Sequence, residues 1–121
     1  SEYLSHLGQI VLMAAKTRSC VFVGRGIQHL LPDGQGMSVR VIAPHAQRLT
    51  AIMQRHQLDE KAARKLMADT DGARREFVQR CFHHDLEDPH AYDLTINLGR
   101  IPSETAAQLI ASETLRRFPP R

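Results

Sequence analysis

The sequence is poor in aromatic residues and cysteine, and it has no long apolar run. Its 121 residues include no tryptophan, two tyrosines and four phenylalanines, which is little material for the base-stacking platforms of nucleic-acid-binding proteins. Two cysteines, Cys20 and Cys81, fit a reducing cytosol, with Cys20 as a small buried apolar residue. No segment approaches the roughly 20 apolar residues of a membrane-spanning helix, and no signal peptide is visible. The sequence therefore predicts a cytoplasmic protein with neither nucleic acid nor membrane as a partner.

The chain also lacks a strong excess of either charge. It has 16 Lys and Arg against 13 Asp and Glu, a formal net charge of +3 that suits an anionic ligand. Hydrophobic residues make up 42% and charged residues 24%, as in ordinary soluble globular proteins. The length predicts a single domain over residues 1–121 with a real core. Because the chain opens on Ser1 rather than Met, we expect it to be a processed or excised piece of a longer protein.

The stretch from Cys20 to Gly26 combines an apolar run with a Gly-Arg-Gly turn. Four apolar residues, Cys20–Val23, predict a buried strand of an α/β sheet. Ligands of open parallel sheets bind where strands end, which would place Arg25 at a binding edge. Gly24 and Gly26 would let the backbone turn sharply there. The guanidinium suits a phosphate, although an ordinary arginine in a strand-to-loop turn explains the stretch as well.

Further strands and helices alternate along the chain. Strands are predicted at 37–43 and 92–98, and helices at 1–16, from Pro44 to His56, from Asp59 as N-cap through Cys81, and from Ser103. Apolar spacing predicts which helical residues face inward, among them Leu49, Ile52, Met53, Ala63, Met67 and Val78. The poor helix formers of residues 69–72 predict an interruption of the long helix by a kink or joint. The sum is an α/β layered domain with a parallel sheet.

In this order the motifs resemble the cytidylate-kinase-like branch of the nucleoside monophosphate kinases. The resemblance covers nearly the whole chain and rests on residues 23–26, 39–44 with Arg48, Asp71-x-x-Arg74-x-x-Phe77, and residues 92–97. It implies a three-layer P-loop-kinase-like fold, with a mostly parallel sheet flanked by helices. It also implies transfer of a phosphoryl group from ATP to a nucleoside monophosphate such as CMP, with Mg²⁺.

The resemblance assigns roles to individual residues. Arg25, between Gly24 and Gly26, would bind the acceptor monophosphate. Arg74 and its neighbour Arg75 would be the catalytic arginines of a mobile lid that closes over the phosphates. Two further substrate-binding residues are implied, Arg48 at the helix leading towards the lid and Asp71, which would orient lid arginines or help place the base. A solvated helix face with local ion pairs is the alternative for the lid residues.

One element of that family is missing from these residues. Its ATP phosphates are held by a glycine-rich loop ending in Lys-Ser/Thr or a related Gly-Ser-Gly-Gly loop, whereas Gly34 and Gly36 are followed by no such lysine. We therefore expect no ATP-dependent turnover from this chain alone, and a fold incomplete at its N-terminus. An upstream loop would complete a kinase. Without one, the chain would be a non-catalytic module that binds a nucleotide or a protein partner.

The missing loop also removes a strand from the middle of that fold's sheet. Exposed sheet edges are normally paired or covered. We expect either that the sheet closes up or that a second copy or an adjacent domain covers the edge.

A third hypothesis concerns the cluster of Cys81, His83, His84 and His90. These residue types bind zinc, but the Cys-x-His-His-x5-His spacing matches no standard zinc module. Surface histidines around a loop are the favoured interpretation, so no metal site is predicted. A Cys–His nucleophile pair is less favoured still, because no orienting partner can be assigned.

Overall fold

The computed structural model describes residues 2–17, 19–24 and 26–120, and in them the chain is a small mixed α/β protein. The described residues contain four α-helices, two strands and two short 3-10 helices. The α-helices are α1 (Glu2–Thr17), α2 (His45–His56), α3 (Glu60–Phe82) and α4 (Ser103–Arg117); the strands are β1 (Val39–Ile42) and β2 (Leu94–Asn97); the 3-10 helices are Ile27–Leu30 and Pro89–Ala91. None of the helices described is both long and apolar enough to cross a membrane.

The two strands pair in parallel, with Val39 opposite Leu94 and Ile42 opposite Asn97. Both predicted strands and their parallel direction are confirmed. The start of the pairing is held by Ser38 and Asp93: the Ser38 N–H donates to Asp93 Oδ2 at 2.7 Å, and the Asp93 N–H donates to the Ser38 carbonyl at 2.8 Å. A parallel pair needs a crossover connection, and here α2 and α3 lie between the strands in sequence.

The predicted strand at Cys20–Val23 is wrong. These residues are irregular, and Val21 and Val23 are each 92% exposed, while Cys20 is exposed rather than buried. An apolar run becomes a strand only when another strand satisfies its backbone hydrogen bonds. The sheet of the described residues contains only β1 and β2, and the three-layer arrangement implied by the resemblance is not confirmed.

The helix boundaries follow their capping residues. Asp59 precedes α3, and its carboxylate accepts the Ala62 N–H at 2.8 Å, which satisfies one of the amides left free at a helix start. Pro44 precedes α2 and Pro102 precedes α4. Residues 69–72 do not break α3, which continues through them as α-helix. The kink or mobile joint expected there stays a prediction.

The chain forms two compact units, one made of Ser1–Met37 and Gly72–Asp88, the other of Ser38–Asp71 and Pro89–Arg121. Helix α3 passes from the second unit to the first between Asp71 and Gly72. In the second unit, a cluster of apolar side chains from α2, α3 and the turn between them forms a core, with Leu49, Ala63 and Met67 buried and Ile52, Met53 and Leu58 packed against them. The inward positions of α2 are confirmed. In the first unit, Val11 and Val78 are each 2% exposed.

Candidate functional site

The Gly24-Arg25-Gly26 turn is described at its two glycines only, and Arg25 lies outside the described residues. Gly24 and Gly26 have φ angles of 79° and 69°, in the left-handed region that glycine enters without strain. A Cβ on Gly26 would lie 2.9 Å from the Phe82 ring, so glycine is also required there by a close approach. The role of Arg25 stays a prediction.

Arg48 and Asp71 are brought together from 23 residues apart. The Arg48 guanidinium on α2 donates through Nη2 to Asp71 Oδ1 on α3 at 2.6 Å. The two side chains are 37% and 31% exposed. The hydrogen bond to Asp71 raises the pKa of Arg48 above its ordinary value, partly offset by burial. This ion pair ties α2 to α3 at the last residue before α3 enters the other unit.

We expect the Arg48–Asp71 pair to contribute about 0.5–1 kcal/mol to stability, since both groups remain a third exposed and solvent screens them. A double-mutant cycle of Arg48→Gln and Asp71→Asn, measured by urea unfolding, gives this coupling energy. The exposed pair Arg64–Glu60, within α3, is the matched control and should couple more weakly. Additive effects of Arg48→Gln and Asp71→Asn would contradict the assignment.

Arg74 and Arg75 follow Asp71 on α3 but belong to the other compact unit. Arg74 is exposed and forms no hydrogen bond or ion pair with any residue that the structure describes. Arg75 has one partner, with its Nη2 3.5 Å from Glu87 Oε1, at the limit of a hydrogen bond. A cavity of about 460 Å³ lies beside this segment and is lined by Gly72, Arg75, Glu76, Gln79 and Asp85. The predicted lid segment is therefore a continuous helix with one unengaged and one weakly engaged guanidinium.

A stacked pair of histidines was not predicted. The rings of His29 and His84 lie 4.0 Å apart between centroids and are nearly parallel, at 7°. The ring centroids of Phe82 and His29 lie 5.3 Å apart. Because His29 and His84 are 55 positions apart, no spacing signal in the sequence could have revealed the stack. The structure also bears on the cluster of Cys81, His83, His84 and His90. Within the described ranges, no set of three or more His, Cys, Asp or Glu side chains is placed to hold a metal ion.

The stack predicts a pH dependence of stability. Burial, and then the positive charge of His84, lower the pKa of His29 below its ordinary value of 6.5. The unfolded chain then binds a proton at His29 at a higher pH than the folded chain does. Acidification from about 6.5 down through the lowered pKa should therefore reduce the free energy of unfolding, whereas this group should have no effect at higher pH.

The measurement for the stack is urea unfolding at a series of pH values. In His29→Gln the part of the acid destabilisation that arises from this group should disappear. His6→Gln, at an exposed position of α1, controls for the loss of an imidazole and should keep the wild-type slope. An unchanged slope in His29→Gln would overturn the prediction.

Comparison with known proteins shows which family the chain resembles. Residues 1–100 match the model of the cytidylate kinase-like family. No curated protein matches the sequence. The chain is similar in fold to the crystal structure of an uncharacterized protein from Eubacterium ventriosum, with a TM-score of 0.81 and 22% sequence identity. That similarity covers 88% of this chain and 62% of the other, so the chain spans less than two thirds of that protein's length. At this level of identity the similarity shows a shared fold alone.

Proposed function

Because the chain belongs to the cytidylate kinase-like family, we propose that it binds a nucleoside monophosphate and that the arginines of α3 contact the phosphates. In this proposal the chain supplies the acceptor-binding and lid parts of a phosphoryl transferase. The 121 residues contain no Gly-x-x-x-x-Gly-Lys-Ser/Thr motif. Transfer from ATP with Mg²⁺ would therefore require a phosphate-binding loop supplied from outside these residues.

The proposal rests on one observation: Arg74 forms no hydrogen bond or ion pair with any residue that the structure describes. Arg74 and Arg75 are neighbours on a helix, and Arg75 has only a long contact to a carboxylate. The other two arginines of α3 each have a carboxylate one helical turn away: Arg64 lies 2.5 Å from Glu60, and Arg80 lies 3.7 Å from Glu76. Adjacent cations without full counter-charge favour an anionic ligand, and phosphoryl transfer depends on such charges around the moving group.

The remaining residues of the proposed site would position these arginines and the acceptor. The Arg48–Asp71 ion pair joins α2 to α3 within the second unit. We assign the acceptor phosphate to Arg25, the residue between Gly24 and Gly26 in the sequence. In this arrangement Asp71 acts through Arg48 as a positioning residue rather than as a direct ligand of the lid arginines.

Titration calorimetry with CMP tests the proposal. We expect the double variant Arg74→Gln/Arg75→Gln to bind CMP about 10- to 100-fold more weakly, the loss that follows from removing charged hydrogen bonds. Arg64→Gln removes one positive charge from an exposed, paired position of the same helix and should bind CMP as the wild type does. Far-UV circular dichroism verifies that α3 remains folded in each variant. Equal CMP affinity in the double variant and the wild type would overturn the proposal.

A non-catalytic nucleotide-binding module is the second candidate, favoured by the missing phosphate-binding loop. The two candidates separate when CMP, ATP and Mg²⁺ are added to the chain together with a segment that supplies the phosphate-binding loop. Formation of CDP, lost in Arg74→Gln/Arg75→Gln, would support a complete kinase. CMP binding without CDP would support the module.

A further inference from the structure

Helix α4 has apolar residues on two of its sides. On one side Ala106 is buried and Ile110 is half-buried. A second stripe is exposed and consists of Ala107, Ala111, Leu115 and Phe118. We propose that this exposed stripe is the surface through which two copies of the chain associate, with their α4 helices antiparallel. The inference goes beyond the proposed function, since it uses no residue of the nucleotide site and would hold if that site failed.

The four residues of the exposed stripe follow one line along the helix. They stand at i, i+4, i+8 and i+11, and residues three or four apart are neighbours on a helix surface. Phe118 follows the last residue of α4, but its N–H donates to the Thr114 carbonyl at 2.8 Å, which holds it to the last turn. Leu115 and Phe118 are 56% and 39% exposed. Removing such apolar surface from water favours association.

The order of small and large residues makes the stripe complementary to itself. The two alanines lie towards the start of α4, and the leucine and phenylalanine lie towards its end. A two-fold axis between antiparallel helices repeats every contact in both directions. If Ala111 of one copy lies opposite Leu115 of the other, the same register places Ala107 beside Phe118. Each large side chain then packs over an alanine, which allows the close approach of packed helices. In a parallel pair, large residues would meet large ones and alanine would face alanine.

The charges at the two ends of α4 favour the same orientation. The first turn contains Glu104, and the last turn contains Arg116 and Arg117. Antiparallel association places the acidic end of one helix beside the basic end of the other and also opposes the two helix dipoles. A parallel pair would bring ends of like charge together. Because both arginines already contact Glu113, this contribution is smaller than that of the apolar stripe.

The size of the contact sets the strength of the dimer. Helix α4 has 15 residues and is therefore roughly 22 Å long at the usual rise per residue. One stripe of that length buries less surface than the about 1,200–2,000 Å² of stable interfaces. We therefore expect a reversible dimer in equilibrium with the monomer, rather than a permanent one.

Sedimentation equilibrium at a series of protein concentrations measures the association. We expect a monomer–dimer equilibrium in the wild type and a dissociation constant about tenfold higher or more in Leu115→Ala, since each dimer loses two leucine side chains. Leu109→Ala is the matched control. Leu109 is 44% exposed but lies two residues from both alanines and so on another side of α4, where the same truncation should leave the dissociation constant unchanged. Far-UV circular dichroism verifies that each variant is folded.

A size swap tests the antiparallel register. Ala111→Leu alone sets leucine against leucine and should weaken the dimer. The double variant Ala111→Leu/Leu115→Ala again pairs one large with one small side chain and should recover most of the wild-type affinity. A monomer at every concentration, tighter association in Ala111→Leu, or no recovery in the double variant would each overturn the inference. An unchanged dissociation constant in Leu115→Ala would overturn it as well, by assigning the dimer to another surface such as the exposed Val21 and Val23.

Discussion

Replacing Ile96 by alanine is expected to lower the free energy of unfolding by about 3 kcal/mol. Ile96 lies in β2 and is 2% exposed, among the most completely buried large side chains of the described residues. Its replacement removes three buried carbon atoms and leaves a cavity. Because β2 is held in register by its pairing with β1, the backbone cannot easily move in to fill the space.

The paired residue on β1 provides the control for Ile96. Val41 stands opposite Ile96 and is 52% exposed, although parallel partners lie on the same face of a sheet. We expect Val41→Ala to cost less than about 1 kcal/mol, because little apolar surface is lost. Urea unfolding monitored by far-UV circular dichroism compares the two variants. Similar losses of stability in the two variants would mean that Val41 on β1 is buried like Ile96, which contradicts the structure.

The helices of the second unit could be predicted because the residues next to each helix start indicate where the helix begins. Asp59 caps α3 through the Ala62 N–H, as its position before an apolar periodicity indicates. Pro44 stands directly before α2, where its fixed φ and missing N–H cost nothing. The inward positions Leu49 and Met67 follow from the same periodicity. Such signals are contained within one or two turns of sequence, so they do not depend on partners elsewhere.

The strand predicted at Cys20–Val23 failed for the opposite reason. Apolar runs of this length are compatible with a buried strand, but burial depends on a partner that the run itself does not encode. Val21 and Val23 lie almost fully exposed instead. Residues 69–72 do not break α3, because helix propensities differ by less than about 1 kcal/mol per residue. Local ion pairs within α3, such as Lys65 with Asp69 at 2.9 Å, are of comparable size.

In the candidate site, too, individual residues could be predicted from the sequence, but the contacts between distant residues could not. The resemblance named Arg48 and Asp71 separately, each as a group acting on substrate, and no sequence pattern indicated that they contact each other across α2 and α3. Arg74 and Arg75 could be identified as neighbours, but their different degrees of pairing required the structure.

Gly99→Ala should destabilise the second unit by about 1–3 kcal/mol, the usual cost of forcing extra atoms into a packed site. A Cβ on Gly99 would lie 2.5 Å from Pro44 Cγ, still closer to Pro44 Cδ, and 3.1 Å from Asn97 Oδ1. The proline ring is rigid and cannot rotate away. The Asn97 side chain also accepts the Gly99 N–H at 2.9 Å, which holds the backbone in place. The backbone at Gly99 must therefore move away from the start of α2 when alanine is introduced.

This prediction differs from a general glycine effect, and Gly72→Ala is the control that separates the two. Gly72 lies within α3 with no atom within 4 Å of an added Cβ, so alanine there should stabilise the chain by about 0.5–1 kcal/mol. The two variants should thus shift the urea midpoint in opposite directions. Since Pro44 precedes the helix that carries Arg48 and Arg55, Gly99→Ala should also shift the amide resonances of α2, whereas Gly72→Ala should not. A Gly99→Ala variant as stable as the wild type would show that the loop after β2 yields readily, and the contact with Pro44 would then not fix the start of α2.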